Sequence, residues 1–241
     1  MKKSMIAAMI GLAIGTGFTN AARAEEQRSW NWSPLGIGIA APIQLPFMET
    51  DVYGLRIGGL FGCNQDVYGL DVGLCEVSSG SFAGVGAAAF NWVGKNAYGL
   101  QVGALANVVA LDAYGLEAGL VNVVHGGFTG LQLGLVNYDA NFAGGRFGLV
   151  NWSKTTSAGF DIGLVSVSGE DFVGLKLGAL NLADRFVGAQ IGLFNLSDGP
   201  STGFQLGLVN AANYFTGLQL GIINLICKGP LPVMLIANAS F

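Results

Sequence analysis

The segments Gly130-Leu131-Gln132-Leu133-Gly134-Leu135-Val136-Asn137 and Gly217-Leu218-Gln219-Leu220-Gly221-Ile222-Ile223-Asn224 decide the fold class. Both read glycine, apolar, polar, apolar, glycine, two apolar residues and asparagine, and related segments recur about every 15 residues. An internal repeat at this spacing indicates a domain assembled from many copies of one short structural unit. The alternation of apolar and polar residues between the glycines is typical of a β-strand whose two faces differ.

The repeat keeps a constant register along most of the chain. Its first glycine, here called the opening glycine, occurs twelve times with steps of 14 to 16 residues. Positions one, three and five after the opening glycine are almost all apolar. The residue two positions after it, here called the central position, is polar or charged in eleven repeats and is Gly86 in the other. The eleven polar central residues are Arg56, Asp71, Gln101, Glu117, Gln132, Arg146, Asp161, Lys176, Gln190, Gln205 and Gln219.

Composition and the start of the chain indicate an exported protein. Charged residues make up only 11% of the 241 residues, which is too little charge to coat an ordinary water-facing surface. Residues 1–24 read as a secretory signal peptide, because Lys2 and Lys3 precede an apolar run and Ala22-Arg23-Ala24 offers a cleavage site. Cleavage leaves a single repeat domain, residues 25–241, with 8 basic and 15 acidic residues and with the repeats at about 53–226. Such an acidic exported chain is a poor candidate for binding nucleic acid.

Two architectures accommodate this repeat. In the first, an antiparallel meander closes into a transmembrane β-barrel of about 14 strands, with leucines facing outer membrane lipid and the eleven central residues forming a polar lumen ring. In the second, about 12 coils stack as a β-solenoid with the leucines inside and the central position outside.

The pattern favours the barrel. Glycine, apolar, polar, apolar, glycine reads the same in both directions, so one unit serves upward and downward strands. An arginine or lysine that faces lipid at mid-depth costs about 2–4 kcal/mol, so the charged face belongs to the lumen. A first strand at about 35–46 and a closing strand at about 231–241 bring the twelve repeats to the even strand number of bacterial barrels. Phe241, at the end of an alternating strand, predicts an assembly signal read by the barrel-assembly machinery.

Several segments resemble a known family. The copies at 130–137 and 217–224, the entry Pro42-Ile43-Gln44-Leu45-Pro46 and the end Leu231 to Phe241 are similar to the bacterial surface-repeat family built on GLQLGLVN-type units. The likeness covers nearly the whole mature chain. It implies export and a surface location, but no activity and no catalytic residue. Together with the signal peptide it predicts the outer membrane or cell surface of a diderm bacterium.

Residues suited to chemistry are few. His125 is the only histidine, which leaves a histidine-based metal cluster without a second imidazole. Gly84-Val85-Gly86 lies inside a strand repeat with no helix after it, so it lacks the helix N-terminus of a dinucleotide loop. The carboxylates Asp71 and Glu117 share a position that other repeats fill with Arg, Lys or Gln, which indicates polarity rather than a paired acid and base. We expect no enzymatic activity, no cofactor and no bound metal.

Two function classes follow from the two architectures. The barrel predicts a passive pore whose polar lumen ring passes small solutes. The solenoid predicts a structural or adhesive surface repeat protein without transport activity. Trp32, Trp92 and Trp152 each follow an asparagine near a strand end, where an indole ring anchors a protein at a membrane interface or packs locally.

Overall fold

The computed structural model describes residues 31–229 and 231–240. The expected signal peptide at residues 1–24 and the expected assembly signal Phe241 lie outside the described residues. Within these ranges no helix has the length and apolar character needed to cross a membrane. The described chain forms thirteen β-strands, which are β1 (Trp32–Ala40), β2 (Ile43–Leu45), β3 (Asp51–Asn64), β4 (Val67–Val72), β5 (Cys75–Ser78), β6 (Phe82–Val93), β7 (Ala97–Val109), β8 (Ala113–Leu133), β9 (Val136–Phe147), β10 (Val150–Ser153), β11 (Ser157–Ile162), β12 (Val165–Ile226) and β13 (Val233–Ser240).

The strands pair in parallel along most of the molecule, which contradicts the predicted antiparallel meander. β3 pairs in parallel with β4, β4 with β6, β6 with β7 and β8 with β9, each in a register offset by one repeat. Antiparallel pairing is found at the two ends, where β1 meets β2 and β12 meets β13. The fold is a β-solenoid of stacked coils. The predictions of a closed barrel, transmembrane β-strands and a porin-like lumen are therefore wrong.

Each repeat completes one coil, and in several repeats the strand is interrupted where the chain bends at the second glycine, whereas the long strands β8 and β12 continue through more than one segment. β8 ends at Leu133, the chain turns through Gly134-Leu135, and β9 begins at Val136. The repeat thus has two segments. The first segment runs from two residues before the opening glycine to three residues after it, as at 128–133. The second segment has four residues and includes the asparagine, as at 136–139. First segments pair with first segments of neighbouring repeats, and second segments pair with second segments. The bend removes the straight strand of about 10 residues that a transmembrane barrel requires.

The opening glycines let the coils stack closely. All twelve have φ between 113° and 147°, a region that residues with a Cβ atom rarely adopt. A Cβ atom added to Gly130 would lie 1.9 Å from the carbonyl oxygen of Gly115, one coil away. Glycine is therefore required both by its own backbone dihedral and by the backbone of its neighbour.

The polarity of the coil is the reverse of the one expected for a solenoid. Gln132 is fully buried between the two segments, whereas Leu133 is 38% exposed on the outer surface. All eleven polar central residues are buried in the same way. The alternative prediction of a β-solenoid agrees with the structure, but its expected orientation, with leucines inside and central residues outside, is wrong. In-register stacking gives most of the central side chains a hydrogen-bonding neighbour one coil away, whereas the buried Oε1 of Gln101 has no hydrogen-bond partner.

An apolar row completes the interior beside the polar column. The residue two positions before the opening glycine is buried, and the rings of Phe128 and Phe142 stack with centroids 6.2 Å apart. Val52, Val67 and Phe82 belong to the same buried cluster. Towards the other end of the chain the row continues with Phe172, Phe186 and Phe215.

Strands outside the repeats cover the two ends of the stack. The predicted first strand at about 35–46 is in fact two strands, since β1 runs parallel to β3 and β2 folds back antiparallel onto β1. At the other end β13 occupies most of the predicted closing strand at about 231–241 and pairs antiparallel with the last repeat of β12. This strand caps a stack of coils and does not close a barrel.

Candidate functional site

The predicted lumen ring is a column inside the solenoid. Its residues lie one above another because neighbouring first segments are in register, as in the pairs Gln101 with Glu117 and Gln132 with Arg146. The column does not surround an opening. A cavity lined by Gln101, Glu117 and Phe128 has a volume of ≈ 10 Å³, which is about the space of a single water molecule.

The repeat asparagines form the most regular polar ladder of the interior. In each step Nδ2 of one asparagine donates to Oδ1 of the asparagine one coil further on, at 2.8 Å in every case. Asn122 also donates to the backbone carbonyl of Leu133 at 3.0 Å. Ser166 separates the ladder into two tracts, which are Asn91, Asn107, Asn122, Asn137 and Asn151, and then Asn181, Asn195, Asn210 and Asn224. Within each tract the buried asparagines thereby hydrogen-bond to one another, whereas the Oδ1 of Asn181, directly after the interruption, has no hydrogen-bond partner.

A buried ionic network lies in the middle of the stack. The guanidinium of Arg146 is fully buried and reaches one carboxylate oxygen of Asp139 and one of Asp161, each at 2.8 Å. It also donates to the hydroxyl oxygen of Ser153 at 2.9 Å and lies 4.5 Å above the ring of Phe142. Removing Arg146 would leave two buried carboxylates without a compensating positive charge.

A second ionic cluster lies near the N-terminal end of the described chain. Nε of Arg56 donates to Asp71 at 2.7 Å, and Nη1 donates to the backbone carbonyl of Val77 at 2.8 Å. Glu76 stands at the position of the repeat asparagine, and its Oε2 lies 3.1 Å from Arg56 Nε. The structure thus brings two pairs of opposite central charges one repeat apart into contact, Arg56 with Asp71 and Arg146 with Asp161.

Burial moves several interior pKa values towards neutrality. Burial raises the pKa of Glu117 to about 8, although a hydrogen bond from Gln132 opposes the shift. Burial raises the pKa of Asp139 to about 6 against the attraction of Arg146. Burial lowers the pKa of Lys176 to about 7. Each of these shifts favours the neutral form of the buried group.

No cluster of three or more His, Cys, Asp or Glu side chains capable of holding a metal ion occurs in residues 31–229 and 231–240. His125 is exposed, and its Nδ1 lies 3.3 Å from the carbonyl oxygen of Val109. The absence of enzymatic activity stays a prediction.

Apolar side chains collect on the outer surface instead. In ten of the twelve repeats, an apolar residue one or two positions after the second glycine position projects outward. These residues form a row along the stack, here called the leucine edge. The outward residues of both segments extend this apolar surface, for example Phe160 at 58% exposure. The leucine edge consists of Leu60, Leu74, Leu105, Leu120, Leu135, Leu149, Leu164, Leu193, Leu208 and Ile222, which are 45–62% exposed.

The opposite edge of the coils is polar. Here one coil passes into the next, and carboxylate oxygens accept hydrogen bonds from the backbone of the following coil, as Asp66 does from Ser81 at 2.6 Å and Asp112 from Gly127 at 2.7 Å. We call this row the polar edge. Its charged members are Asp51, Asp66, Lys95, Asp112, Lys154, Glu170, Asp171, Asp184, Arg185, Asp198 and Lys228.

Tyrosine and tryptophan lie between the polar edge and the apolar faces. On the first segments tyrosines stack in pairs, with ring centroids 4.8 and 5.2 Å apart. On the second segments Tyr138 and Trp152 are in edge-on contact at 6.0 Å. These aromatic rows comprise Trp32, Tyr53, Tyr68, Trp92, Tyr98, Tyr114, Tyr138 and Trp152, and so include the three tryptophans expected at an interface.

Comparison with family models, with curated proteins and with solved structures found no match to this chain. The resemblance to the GLQLGLVN-type surface-repeat family rests on the quoted segments and stays a prediction.

The site residues that sequence reasoning missed lie after the repeat asparagine. Asp139, two positions after Asn137, is fully buried and binds Arg146, although the repeat pattern predicts no role for it. In several other repeats this position holds a small residue, namely Ser153, Ser168, Ala183, Ser197 and Ala212. The preference for small side chains was the available signal that a second buried strand follows the bend.

Proposed function

We propose that this protein is an exported, non-enzymatic surface protein that acts as a structural or adhesive scaffold at the outer membrane or cell surface of a diderm bacterium. The observation that carries the proposal is the distribution of polarity. Rows of apolar and aromatic side chains run along the outside of the stack, whereas the polar side chains bond to one another inside it.

The interior ladders support a scaffold role because they make the rod regular. Parallel coils stack at about 4.8 Å, so equivalent outer residues repeat at this spacing. The glutamine column shows the same order, with Gln205 donating to Gln190 and Gln219 donating to Gln205, each at 2.7 Å. A surface built this way presents identical chemistry at fixed intervals, which suits a large partner more than a small substrate.

The pore interpretation depended on the barrel architecture, which the parallel stacked coils contradict. It required the central residues to face water along an open lumen, but Gln132 and Arg146 are fully buried and make their contacts with other side chains. We therefore propose the scaffold without transport activity.

The proposal is tested by expressing the full chain and labelling intact cells with a membrane-impermeant amine reagent. We expect the protein in the outer membrane fraction and Lys154, on the polar edge, to be labelled. The matched control is Lys176, which is fully buried and should stay unmodified. The purified protein should give no channels in a planar bilayer. Recovery as a soluble periplasmic protein without detergent, or stepwise conductance, would contradict the proposal.

A further inference from the structure

The outer surface has three zones in a constant order. The leucine edge lies at one side of the coil, the aromatic rows lie towards the other side on both faces, and the polar edge lies beyond them. Within one coil, Leu149 belongs to the leucine edge, Trp152 to an aromatic row and Lys154 to the polar edge. In a lipid bilayer the same order holds from the acyl chains, through the interface that tyrosine and tryptophan prefer, to water.

From this order we infer that the solenoid inserts its leucine edge into one leaflet of a lipid bilayer and keeps its polar edge in water. The inference deepens the proposed scaffold function, on which it rests, by naming the partner of the apolar faces.

The dimensions agree with insertion into a single leaflet. From an aromatic residue such as Tyr98 to the last outward residue of its first segment, Val102, the strand advances four residues, or about 13 Å. The hydrocarbon of one leaflet is about 15 Å thick, half of a core of about 30 Å. The aromatic rows would therefore lie at headgroup level while the bend reaches towards the middle of the bilayer.

The backbone also suits this environment. Hydrocarbon provides no hydrogen-bond partners, so each polar group in contact with it needs a partner within the protein. Within the stack, the backbone at the bend bonds from coil to coil, since the amide of Leu135 donates to the carbonyl of Leu120 at 2.9 Å and the amide of Leu149 donates to that of Leu135 at 2.9 Å.

A second copy of the chain is the less suitable occupant. A twofold dimer covers one patch on each copy, but the apolar surface includes both faces and the edge between them. Leu133 and Phe160 lie on the first-segment face, Val136 and Trp152 on the second-segment face, and Leu149 on the edge. A fluid hydrocarbon phase covers such a surface on all three sides.

The charge of the polar edge indicates which lipid is bound. Its carboxylates outnumber its lysines and arginine. An excess of negative charge disfavours anionic headgroups, which attract basic segments. We therefore infer binding to zwitterionic phospholipid, with little dependence on ionic strength.

The test places one fluorescent label on the mature chain, in a background where Cys63, Cys75 and Cys227 are serine. Leu149→Cys puts the label on the leucine edge, and the matched control Lys154→Cys puts it on the polar edge of the same coil. Both proteins are mixed with phosphatidylcholine vesicles that contain either plain or brominated acyl chains. We expect brominated lipid to quench the label at position 149 and aqueous iodide to quench the label at position 154.

Two results would overturn the inference. If iodide quenches both positions equally in the presence of vesicles, the leucine edge does not enter the bilayer. If position 149 is protected from both quenchers and light scattering shows a doubled mass without lipid, a second copy covers the edge.

A second variant keeps the test independent of labelling. Leu135→Glu combined with Leu149→Glu should lower the vesicle partition coefficient by roughly tenfold or more, while Lys154→Glu should leave it unchanged. The exposed position of both leucines lets the fold accept the change, which circular dichroism checks. Equal binding of the double variant and the parent would reject lipid insertion.

The outcomes separate this inference from the proposed function. Surface labelling on cells without vesicle binding would reject lipid insertion and leave the scaffold proposal intact. A soluble periplasmic location together with vesicle binding would reject the surface scaffold.

Discussion

Two adjacent glycines offer a direct measure of how closely the coils are packed. Gly144 is an opening glycine with φ 134°, and a Cβ atom added there would lie 2.0 Å from the carbonyl oxygen of Gly130. Gly145 faces outward, and the nearest atom to its added Cβ is the flexible Cδ1 of Leu131 at 3.1 Å. We predict that Gly144→Ala strongly destabilises the protein and that Gly145→Ala does not.

The expected magnitudes follow from two separate costs. Forcing a non-glycine residue into this backbone region costs about 1–3 kcal/mol, and displacing a close-packed neighbour costs about another 1–3 kcal/mol. Gly144→Ala should therefore lower the free energy of unfolding by about 2–6 kcal/mol. Gly145→Ala should change it by less than about 1 kcal/mol, because a shift of Leu131 relieves the contact and the unfolded chain loses entropy.

Denaturant unfolding followed by circular dichroism measures both variants against the parent chain. A solenoid need not unfold in a single step, so the midpoint of the first transition is compared as well. If Gly144→Ala and Gly145→Ala unfold at the same denaturant concentration, the glycine column does not set the spacing of the coils.

Three further predictions concern the polar interior. Asn137→Ala should lower the free energy of unfolding by about 1–3 kcal/mol, because it leaves buried partners in the asparagine ladder unsatisfied. The control Val136→Ala, at an outward position, should lower it by less than about 1 kcal/mol. Equal effects of the two variants in thermal melts would contradict a stabilising role of the asparagine ladder. The pKa of Glu117 is raised from 4.5 to about 8 in the folded state, so its contribution to stability is present below pH 4.5 and is lost as pH rises to about 8. Glu117→Gln should therefore flatten the decline of stability over this pH range, as measured by thermal melts at a series of pH values. The pKa of Lys176 is lowered from 10.5 to about 7 in the folded state, so its contribution to stability is present above pH 10.5 and is lost as pH falls to about 7. Lys176→Met should therefore flatten the rise of stability across that range. It should leave the pH dependence of stability below about pH 7 unchanged.

The polar interior makes the register of the coils specific. Most apolar side chains tolerate neighbours of similar size, but a buried amide or carboxylate needs a partner at a defined distance. Arg146 finds Asp139 and Asp161 at 2.8 Å only when the coils are in register. The interior charges therefore select one alignment of a chain whose repeats are otherwise nearly interchangeable.

The sequence by itself determined the repeat, its period and the contrast between two faces of a strand. These features follow from alternation and spacing, which are local properties of the chain.

Only the tertiary structure decided that the strands are parallel and that the polar face is buried. Alternation shows that Gln132 and Leu133 face opposite ways, but it does not show which of them meets another coil. The unit from one glycine to the next reads the same in both directions, so it suits parallel and antiparallel neighbours equally. The decision lies in the bend at Gly134 and in the second segment after it, where Asn137 finds its partners in adjacent coils. Hydrogen bonds between side chains one coil apart stabilise the polar interior, and this long-range pairing exists only once the coils are stacked.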